Sequence, residues 1–534
     1  MIQIQLKHGL LCAVGLLALV ACTAIPQPEL GIKWLESCPG KPGTDLTPSF
    51  LARIECGIVT VPLDHLNPTA GTLDLDITRV AAQHPEQREG AIFTNYGGAE
   101  AAGDWTAVNL AWAWTMDAES TRHESYQRLT TVYDVIGLTY RGAGNTQASQ
   151  LICQSDEVIV AQNDITEDRR PANIKLVQHN AAVLARGCAN QRLAPYINTE
   201  QAARDLEFVR IQLNESKLNY VGYAYGTWLG AWYAGLYPKQ VGRMVLDSNM
   251  DWTTTLQNNS LTQAPEKERV FSRFFEQVAI AHPQAYQMGE EPQAVRKVFT
   301  QLLPEVRAAL RSNLFEFNHV EYLMAAQALS QWLRETPAIS DATLQGKALA
   351  YRFSPDNDVN ERALKALGAL LIAVRNPVHW NRIEPGPLKL TPAESVRLTA
   401  MCNDSVSPGE AFWVEKENQF AVEHPVGGSF FPTRHCAGWP GKALDGVPLR
   451  HLAQVDSIVM VQAEYGDQTP SAGGFAAFHS LPNTYMTLLK DAYLSEVAFS
   501  YNGKDCVNDK VADYLASGRK PERLSTCAAS DTDH

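Results

Sequence analysis

The chain has 534 residues, a formal net charge of −13 and 45% hydrophobic residues, which is enough apolar material for a large folded core. Its length predicts more than one structural unit. Neutralising nucleic-acid phosphates requires clustered Lys and Arg, and the sequence has no such run, so we expect no nucleic-acid partner. The acidity indicates solubility and carries no functional assignment.

The first residues, 1–22, have the pattern of an export signal. Lys7 precedes an apolar stretch over 9–21, which is short for a membrane span and typical of a signal-peptide core. The stretch ends in Leu-Val-Ala-Cys at Cys22, which resembles a bacterial lipobox, where the Cys is lipidated and becomes the mature N-terminus. An ordinary signal peptide that happens to hold a cysteine is the alternative. We expect 23–37 to tether the domain to the bacterial cell envelope through lipidated Cys22.

Strand patterns alternate with helical patterns over the first half of the mature chain. Alternating or buried apolar runs predict strands, and apolar residues at helical spacing predict helices. The predicted strands are 58–62, 73–80, 90–94, 132–140, 218–223 and 241–247, and the predicted helices are 201–213 and 227–237. This alternation indicates an α/β fold with a mostly parallel central sheet and helices on both faces.

The pattern changes in the second half. Strand signals vanish over 252–395, and long helical stretches at 294–311, 320–334 and 361–374 indicate a helical lid inserted into the core. Later elements are predicted strands at 457–462 and 484–490 and predicted helices at 475–480 and 508–516. The predicted domains are therefore a first core part over 38–251, the lid over 252–395, and a C-terminal part over 396–534 that completes the sheet.

Eight cysteines remain once Cys12 and Cys22 are assigned to the signal. An even number in an exported chain indicates disulfides, although sequence alone does not fix their connectivity. Pairing of neighbours is our hypothesis because each couple flanks one local loop. The couples are Cys38 with Cys56, Cys153 with Cys188, Cys402 with Cys436, and Cys506 with Cys527. No C-x-x-C or H-E-x-x-H motif occurs, so we expect neither a metal nor a cofactor.

A pentapeptide over 222–226 carries the main functional signal. It begins with Gly222, ends with Gly226, and lies between a predicted strand and a predicted helix. This is the context of the nucleophile elbow, G-x-S-x-G, which presents a catalytic serine above the sheet. Here the middle residue is Ala224, whose methyl group can neither lose a proton nor attack a carbonyl. A close strand–helix contact that requires glycine is the alternative explanation.

Six further fragments carry a family resemblance through their order and spacing. They are TVPLDH at 60–65, YRGAGN at 140–145, AARDL at 202–206, LNY at 218–220, VGRMVLD at 241–247 and CAGWP at 436–440. Together with the pentapeptide they resemble the tripeptidyl aminopeptidases of the α/β-hydrolase superfamily, which are secreted enzymes with a characteristic C-terminal domain. The resemblance covers most of the mature chain, and the cysteine couples lie where that family places its disulfides.

The resemblance implies a Ser, Asp, His triad in that chain order. The family's acid phrase resembles G-x-x-D-x-x-T-P, which places Asp467 at the acid position, with an ordinary surface-turn Asp as the alternative. The histidine phrase resembles D-G-x-G-H and matches 491–495, which places Ser495 in the histidine slot. Only His479 and His534 follow Asp467, one in a predicted helix on the flank of the sheet and one at the end of the chain, so neither is a good substitute.

The loop expected to stabilise an oxyanion is also altered. The family phrase resembles N-x-G-G-P-G-x-S-G, and in the matching stretch 95–103 Gly97 and Gly98 remain. The resemblance implies that their backbone N–H groups, with that of Tyr225, face a ligand. Glu100 would place a carboxylate where negative charge develops, which opposes oxyanion stabilisation unless its side chain turns to solvent.

Departures at three separate catalytic positions indicate a natural pseudoenzyme, because an engineered Ala224 would explain only one of them. We expect an exported protein that binds peptides or other small acyl ligands in a cleft under the lid and contacts the membrane through its N-terminal anchor. The alternative is an active peptidase or esterase-type hydrolase with a non-standard catalytic set that uses Asp467, Glu100 or Ser495.

Overall fold

The centre of the chain is a ten-stranded sheet, seen in a computed structural model that describes residues 29–39, 46–100, 102–119, 124–313, 320–375, 385–466, 468–499 and 504–529. The strands are β1 (Gly31–Trp34), β2 (Ile54–Pro62), β3 (Thr72–Val80), β4 (Gly90–Asn95), β5 (Tyr133–Leu138), β6 (Gln154–Ile159), β7 (Leu218–Tyr223), β8 (Val241–Asp247), β9 (Gly386–Lys389), β10 (Ile458–Tyr465), β11 (Thr484–Tyr493) and β12 (Leu524–Ala528). The export signal with Cys22, the acid-position Asp467 and the terminal His534 lie outside the described residues.

The strand order in this sheet is β1-β2-β3-β5-β4-β7-β8-β10-β11-β12. In this spatial order, the pairs β1-β2, β2-β3 and β3-β5 are antiparallel, and every later pair, from β5-β4 to β11-β12, is parallel. This is the predicted mostly parallel α/β sheet. A separate antiparallel pair is formed by β6 and β9.

Twenty α-helices occur in the described residues. They are α1 (Pro48–Leu51), α2 (Gly103–Glu119), α3 (Glu124–Val132), α4 (Pro171–Ala189), α5 (Thr199–Gln212), α6 (Tyr225–Leu236), α7 (Leu256–Leu261), α8 (Gln263–Phe271), α9 (Gln277–Ala281), α10 (Pro283–Tyr286), α11 (Pro292–Thr300), α12 (Pro304–Asn313), α13 (Val320–Glu335), α14 (Asp341–Ala350), α15 (Asn357–Arg375), α16 (Pro392–Asp404), α17 (Glu410–Glu423), α18 (Leu449–Leu452), α19 (Ser471–Ser480) and α20 (Asp505–Ser517). A π-helical turn, Ser272–Glu276, joins α8 to α9.

Helices cover both faces of the sheet because its strands are apolar on both sides. Helices α5, α6 and α19 contribute to the core on one face, and α2, α3 and α20 contribute to the core on the other. Trp228 of α6 and Trp114 of α2 are fully buried on opposite faces. Within the described ranges, no helix combines the length and the apolar character that crossing a membrane requires.

The helices between β8 and β9 form a lid with a hydrophobic core of its own. Tyr465 and Tyr493, the last residues of β10 and β11, pack against that core, and the ring centroid of Phe274 in the π-helical turn lies 5.2 Å from that of Tyr465. The lid therefore rests on the carboxyl ends of these two strands. The exact predicted domain boundaries stay a prediction.

Two expectations for this region are wrong in detail. The single helical stretch predicted over 294–311 is two helices, α11 and α12, because Pro304 lacks an N–H and clashes with the preceding turn, so it begins a helix instead of continuing one. The stretch predicted to lack strands contains β9. Its partner β6 exposes most of its residues, so neither strand has the buried apolar pattern that would have revealed it.

All four predicted disulfides are present in the structure. They are Cys38–Cys56, Cys153–Cys188, Cys402–Cys436 and Cys506–Cys527. The last bond ties the final helix, α20, to the edge strand β12. Four disulfides fit an exported protein, because thiols stay reduced in the cytoplasm of most cells.

Candidate active site

The candidate site lies where the direction of chain winding reverses in the sheet. Strand β4 has β5 on one side and β7 on the other, and Asn95 at the end of β4 is the register partner of Gly222 in β7. In open parallel sheets, ligands bind at the carboxyl ends of the strands at such a switch point. The loops after β4 and β7 are therefore the expected walls of a cleft.

The loop after β7 has the backbone of a nucleophile elbow. Ala224 has φ 48° and ψ −114°, a conformation that L-residues rarely adopt. A Cβ at Gly222 would lie 2.5 Å from the carbonyl oxygen of Gly226, and a Cβ at Gly226 would lie 2.5 Å from that of Asn95. Both glycines are therefore required by close backbone approaches. The predicted elbow geometry is present, with a methyl group at the nucleophile position.

The loop after β4 lies against this elbow. A Cβ at Gly97 would lie 3.0 Å from the Cβ of Ala224, so Gly97 directly faces the nucleophile position. However, the N–H of Gly97 donates to Asn95 Oδ1 at 3.1 Å, so it is already engaged within the loop. Of the three expected donors, this engagement leaves the N–H groups of Gly98 and Tyr225 as the better candidates to face a ligand.

The side chain of Glu100 folds back over this loop and does not turn to solvent. Its carboxylate lies 3.0 Å from the position of a Cβ at Gly98, and only 14% of the side chain is exposed. Arg397 of α16, which the sequence analysis did not single out, forms an ion pair with Glu100. A charged pair therefore lies beside the loop that should stabilise negative charge.

The aromatic ring of Tyr225, the residue after the elbow, is fixed by a buried polar cluster. Its hydroxyl donates to Asp404 Oδ2 at 2.9 Å and lies 3.3 Å from the hydroxyl of Tyr140. The backbone N–H of Thr199 donates to Asp404 Oδ1 at 2.7 Å. Burial raises the pKa of Asp404 to about 6. This cluster fixes the position of Tyr225, the residue that follows Ala224. Its members come from four separate parts of the chain.

The loop after β11, which carries the histidine slot, is tied beneath the elbow. Asp247, at the end of β8, accepts hydrogen bonds from the N–H groups of Val497 and Ala498 at 3.2 and 2.6 Å, and its own carbonyl accepts the N–H of Ala224 at 3.0 Å. Burial raises the pKa of Asp247 to about 7. Ser495, which the resemblance places in the histidine slot, lies in this loop two residues before Val497.

The residues next to the acid position contact the lid. Asp467 lies outside the described residues, one position after Gly466, whose N–H donates to Glu266 of the lid helix α8 at 3.3 Å. His479 lies in α19, and its ring stacks on that of Phe475 at 6.0 Å. His479 therefore packs within α19 and not in the loops after the strands, as the sequence indicated.

Three of the resemblance fragments meet in one buried ion pair. Arg141 donates to both carboxylate oxygens of Asp205 at 2.8 Å, and His65 Nε2 lies 2.7 Å from Asp205 Oδ1. Burial disfavours the charged carboxylate, but Arg141 and His65 outweigh it and hold the pKa of Asp205 below its ordinary value. These fragments therefore have a structural role that joins the first strands to α5.

Comparison with known proteins agrees with this architecture. The model of the alpha/beta hydrolase fold family matches residues 120–289, and the model of the TAP-like protein family matches residues 424–527. The tripeptidyl aminopeptidase of Streptomyces lividans is 25% identical over 494 residues, which cover 90% of this chain and 84% of that protein. The chain is an α/β-hydrolase-fold protein of the tripeptidyl-aminopeptidase type.

Other proteins are similar to this tripeptidyl-aminopeptidase-type chain at lower identity. The serine protease Hip1 of Mycobacterium tuberculosis is 21% identical over 547 residues, covering 97% of this chain and 95% of that protein. Among solved structures, a hydrolase from Pseudomonas aeruginosa is 12% identical and covers 86% of this chain and 98% of its own, with a TM-score of 0.32. The strand order and the matching family models show the α/β-hydrolase fold.

Proposed function

We propose that this protein is a catalytically impaired relative of the tripeptidyl aminopeptidases that binds peptides or other acyl ligands under its lid without cleaving them. The observation that carries the proposal is Ala224 at the apex of an intact elbow. Losing the nucleophile alone costs a serine protease on the order of 10⁶ in kcat. The retained elbow, the loop after β4 and the lid support the proposal that ligands bind between them.

Two further features support impaired catalysis. Ser495 stands where an imidazole would take the proton of a nucleophile, and a hydroxyl is a poor base at neutral pH. Glu100 adds negative charge beside the oxyanion loop, which opposes the charge that develops during acyl transfer. Its pairing with Arg397 also argues against Glu100 as a free catalytic base in an alternative mechanism.

A peptidase assay on the purified mature protein tests the proposal. Tripeptide p-nitroanilides with a free N-terminus should show no enzymatic turnover, and a fluorophosphonate probe should leave the protein unlabelled because no activated serine is present. A peptide library should nevertheless raise the melting temperature through binding to the folded state. Turnover at an ordinary kcat of about 1 to 10³ s⁻¹ would contradict the proposal.

The proposed location is the bacterial cell envelope, at its periplasmic or outer surface, where lipidated Cys22 anchors the folded domain to a membrane. The lipobox-like end of the export signal supports this proposal, and the disulfides fit an oxidising compartment. Cys22→Ala should move the protein from the membrane fraction to the soluble fraction, whereas Cys12→Ala should leave it at the membrane. Unchanged fractionation of Cys22→Ala would refute the anchor.

A further inference from the structure

A groove runs through the lid between α13, α14 and α15, and we call it the lid groove. Its volume is about 510 Å³, which is within the roughly 300–1,000 Å³ of small-molecule sites. Its lining includes the buried side chains of Leu329, Leu344 and Leu367, which belong to the hydrophobic core of the lid. The lid contacts Tyr465 at the strand ends through the π-helical turn, so the lid groove is formed by other elements.

Large apolar side chains line the open side of the lid groove. Leu349 of α14 is 77% exposed and Ile372 of α15 is 66% exposed, and both belong to the lining. Leu364 and Leu371 of α15 add to this apolar surface. A ligand that covers these side chains would remove apolar area from water on both partners, which is favourable in proportion to the area. The lid groove therefore suits an apolar chain.

A glycine widens the lid groove. Gly368 lies in the interior of α15, where glycine is less favourable than alanine because it loses more backbone entropy. It belongs to the lining, and a Cβ at this position would meet no atom of the described residues within 4 Å. The packing of the lid around this helix therefore does not require a glycine. The missing side chain leaves open space along the wall, and a ligand can occupy that space.

One end of the lid groove is polar but has no net charge. Arg375, the last residue of α15, and Asp341, the first residue of α14, both belong to the lining. Arg375 donates through Nε to Asp341 Oδ1 at 3.0 Å and through Nη2 to the carbonyl of Ile339 at 3.0 Å. The pair offers hydrogen-bond donors and acceptors, and its two charges neutralise each other. An uncharged polar group therefore suits this end better than an ion of either sign.

We propose that the lid groove, lined by Leu344, Leu349, Leu367, Gly368 and Ile372, binds a free single-chain amphiphile with an alkyl chain and an uncharged polar head. The chain would lie along the leucines and fill the space beside Gly368, and the head would contact the ion pair of Asp341 and Arg375. The inference does not depend on the state of the elbow, because neither the cleft under the lid nor a catalytic step is involved.

Calorimetric titration of the purified mature protein with straight-chain alcohols tests this site. 1-Octanol should bind saturably, and 1-hexanol should bind about sixteenfold more weakly, because each buried CH₂ group contributes about fourfold to the affinity. Octanoate and octylammonium have the same chain length as 1-octanol, and both should bind several-fold more weakly because their charges would lose hydration beside an ion pair that is already neutral. This comparison uses the unaltered chain, so it does not depend on the folding of any variant.

Two matched variants then assign the binding to the lid groove. Gly368→Leu should fold at least as stably as the wild type, because leucine favours the helix and meets open space, and its affinity for 1-octanol should fall about tenfold or more because the added side chain fills the groove. Gly346 of α14 also faces open space but does not line the groove, so Gly346→Leu should leave the affinity unchanged.

Four results would each overturn the proposal: no saturable binding of 1-octanol, equal affinities for 1-octanol and 1-hexanol, tighter binding of either ion, or undiminished affinity in Gly368→Leu. Analytical ultracentrifugation of the wild type and Gly368→Leu tests the other occupant, a second copy of the chain. A dimer that Gly368→Leu dissociates would show that the lid groove is a subunit contact, and would also overturn the proposal.

Discussion

The backbone of Ala224 occupies a conformation that costs a residue with a side chain about 1–3 kcal/mol. In a serine hydrolase this strain presents the nucleophile, but at Ala224 there is no hydroxyl to present. The strain is maintained by its surroundings, since Gly97, Gly222 and Gly226 are closely packed against the turn and the N–H of Ala224 is bound by Asp247. The surrounding packing thus holds the elbow in its strained conformation although position 224 has no serine hydroxyl.

Removing the side chain at this position should therefore stabilise the protein. Glycine adopts positive φ without steric cost, so Ala224→Gly should raise the free energy of unfolding by about 1 kcal/mol. The matched control is Ala231→Gly in the following helix α6, where the substitution should instead lower the free energy of unfolding by about 1 kcal/mol or more. Chemical denaturation of both variants measures the difference. If Ala224→Gly and Ala231→Gly lowered the free energy of unfolding equally, position 224 would not be strained.

Individual site residues were predictable only where a sequence motif carries them. The glycines and Ala224 are local to a known phrase, and the turn that holds them has the expected backbone. The assignment of Ser495 to the histidine slot stays a prediction. Arg397 and Asp404 were missed, because each meets its partner across about 200 residues or more of chain and follows no motif. Such long-range partners depend on tertiary packing, which a periodicity in one segment does not encode.

Among the elements, the parallel strands were the most predictable. Strands β7 and β8 have the bounds that their buried apolar runs indicated, because strands covered on both faces consist almost entirely of apolar residues. The short pair β6 and β9 and the edge strand β1 were missed, because partly exposed strands lack that pattern. The end of β8 has a further role, since its Asp247 anchors the loop after β11.

Asp247 should make stability depend on pH in a specific direction. Its folded pKa of about 7 lies above the ordinary value of 3.8, so between these pH values the native state retains a proton that the unfolded state has lost. Stability therefore falls as pH rises through this window, by at most about 1.4 kcal/mol for each pH unit. In the variant Asp247→Asn, the side chain does not titrate, and its Oδ1 can still accept hydrogen bonds from the N–H groups of Val497 and Ala498.

Urea denaturation of the wild type and Asp247→Asn at pH 5 and pH 8 measures this effect. From pH 5 to pH 8, the free energy of unfolding of Asp247→Asn should rise relative to that of the wild type by more than about 1 kcal/mol. Asp404→Asn should show a similar but smaller gain, because the pKa of Asp404 is raised only to about 6. Parallel pH profiles for the wild type and Asp247→Asn would show that Asp247 is ionised in the native state.

At the scale of the whole molecule, the chain combines a complete α/β-hydrolase architecture with altered chemistry at its centre. The sheet, the lid and the disulfides are all present, and the lid rests on the strand ends beside the elbow. We propose that restoring a single residue cannot complete the catalytic set.

Restoring the nucleophile tests this point most directly. Ala224→Ser, assayed by kcat/KM on small peptide amides, should show no useful activity, because a serine hydroxyl needs an adjacent base and we propose that Ser495 occupies the position of that base. Triad members act as a unit, so Ala224→Ser with Ser495→His should exceed either single variant, and adding Glu100→Gln should help further. If Ala224→Ser alone reaches the kcat/KM of an ordinary enzyme, about 10⁴ M⁻¹s⁻¹ or more, a base is already present and the pseudoenzyme account is wrong.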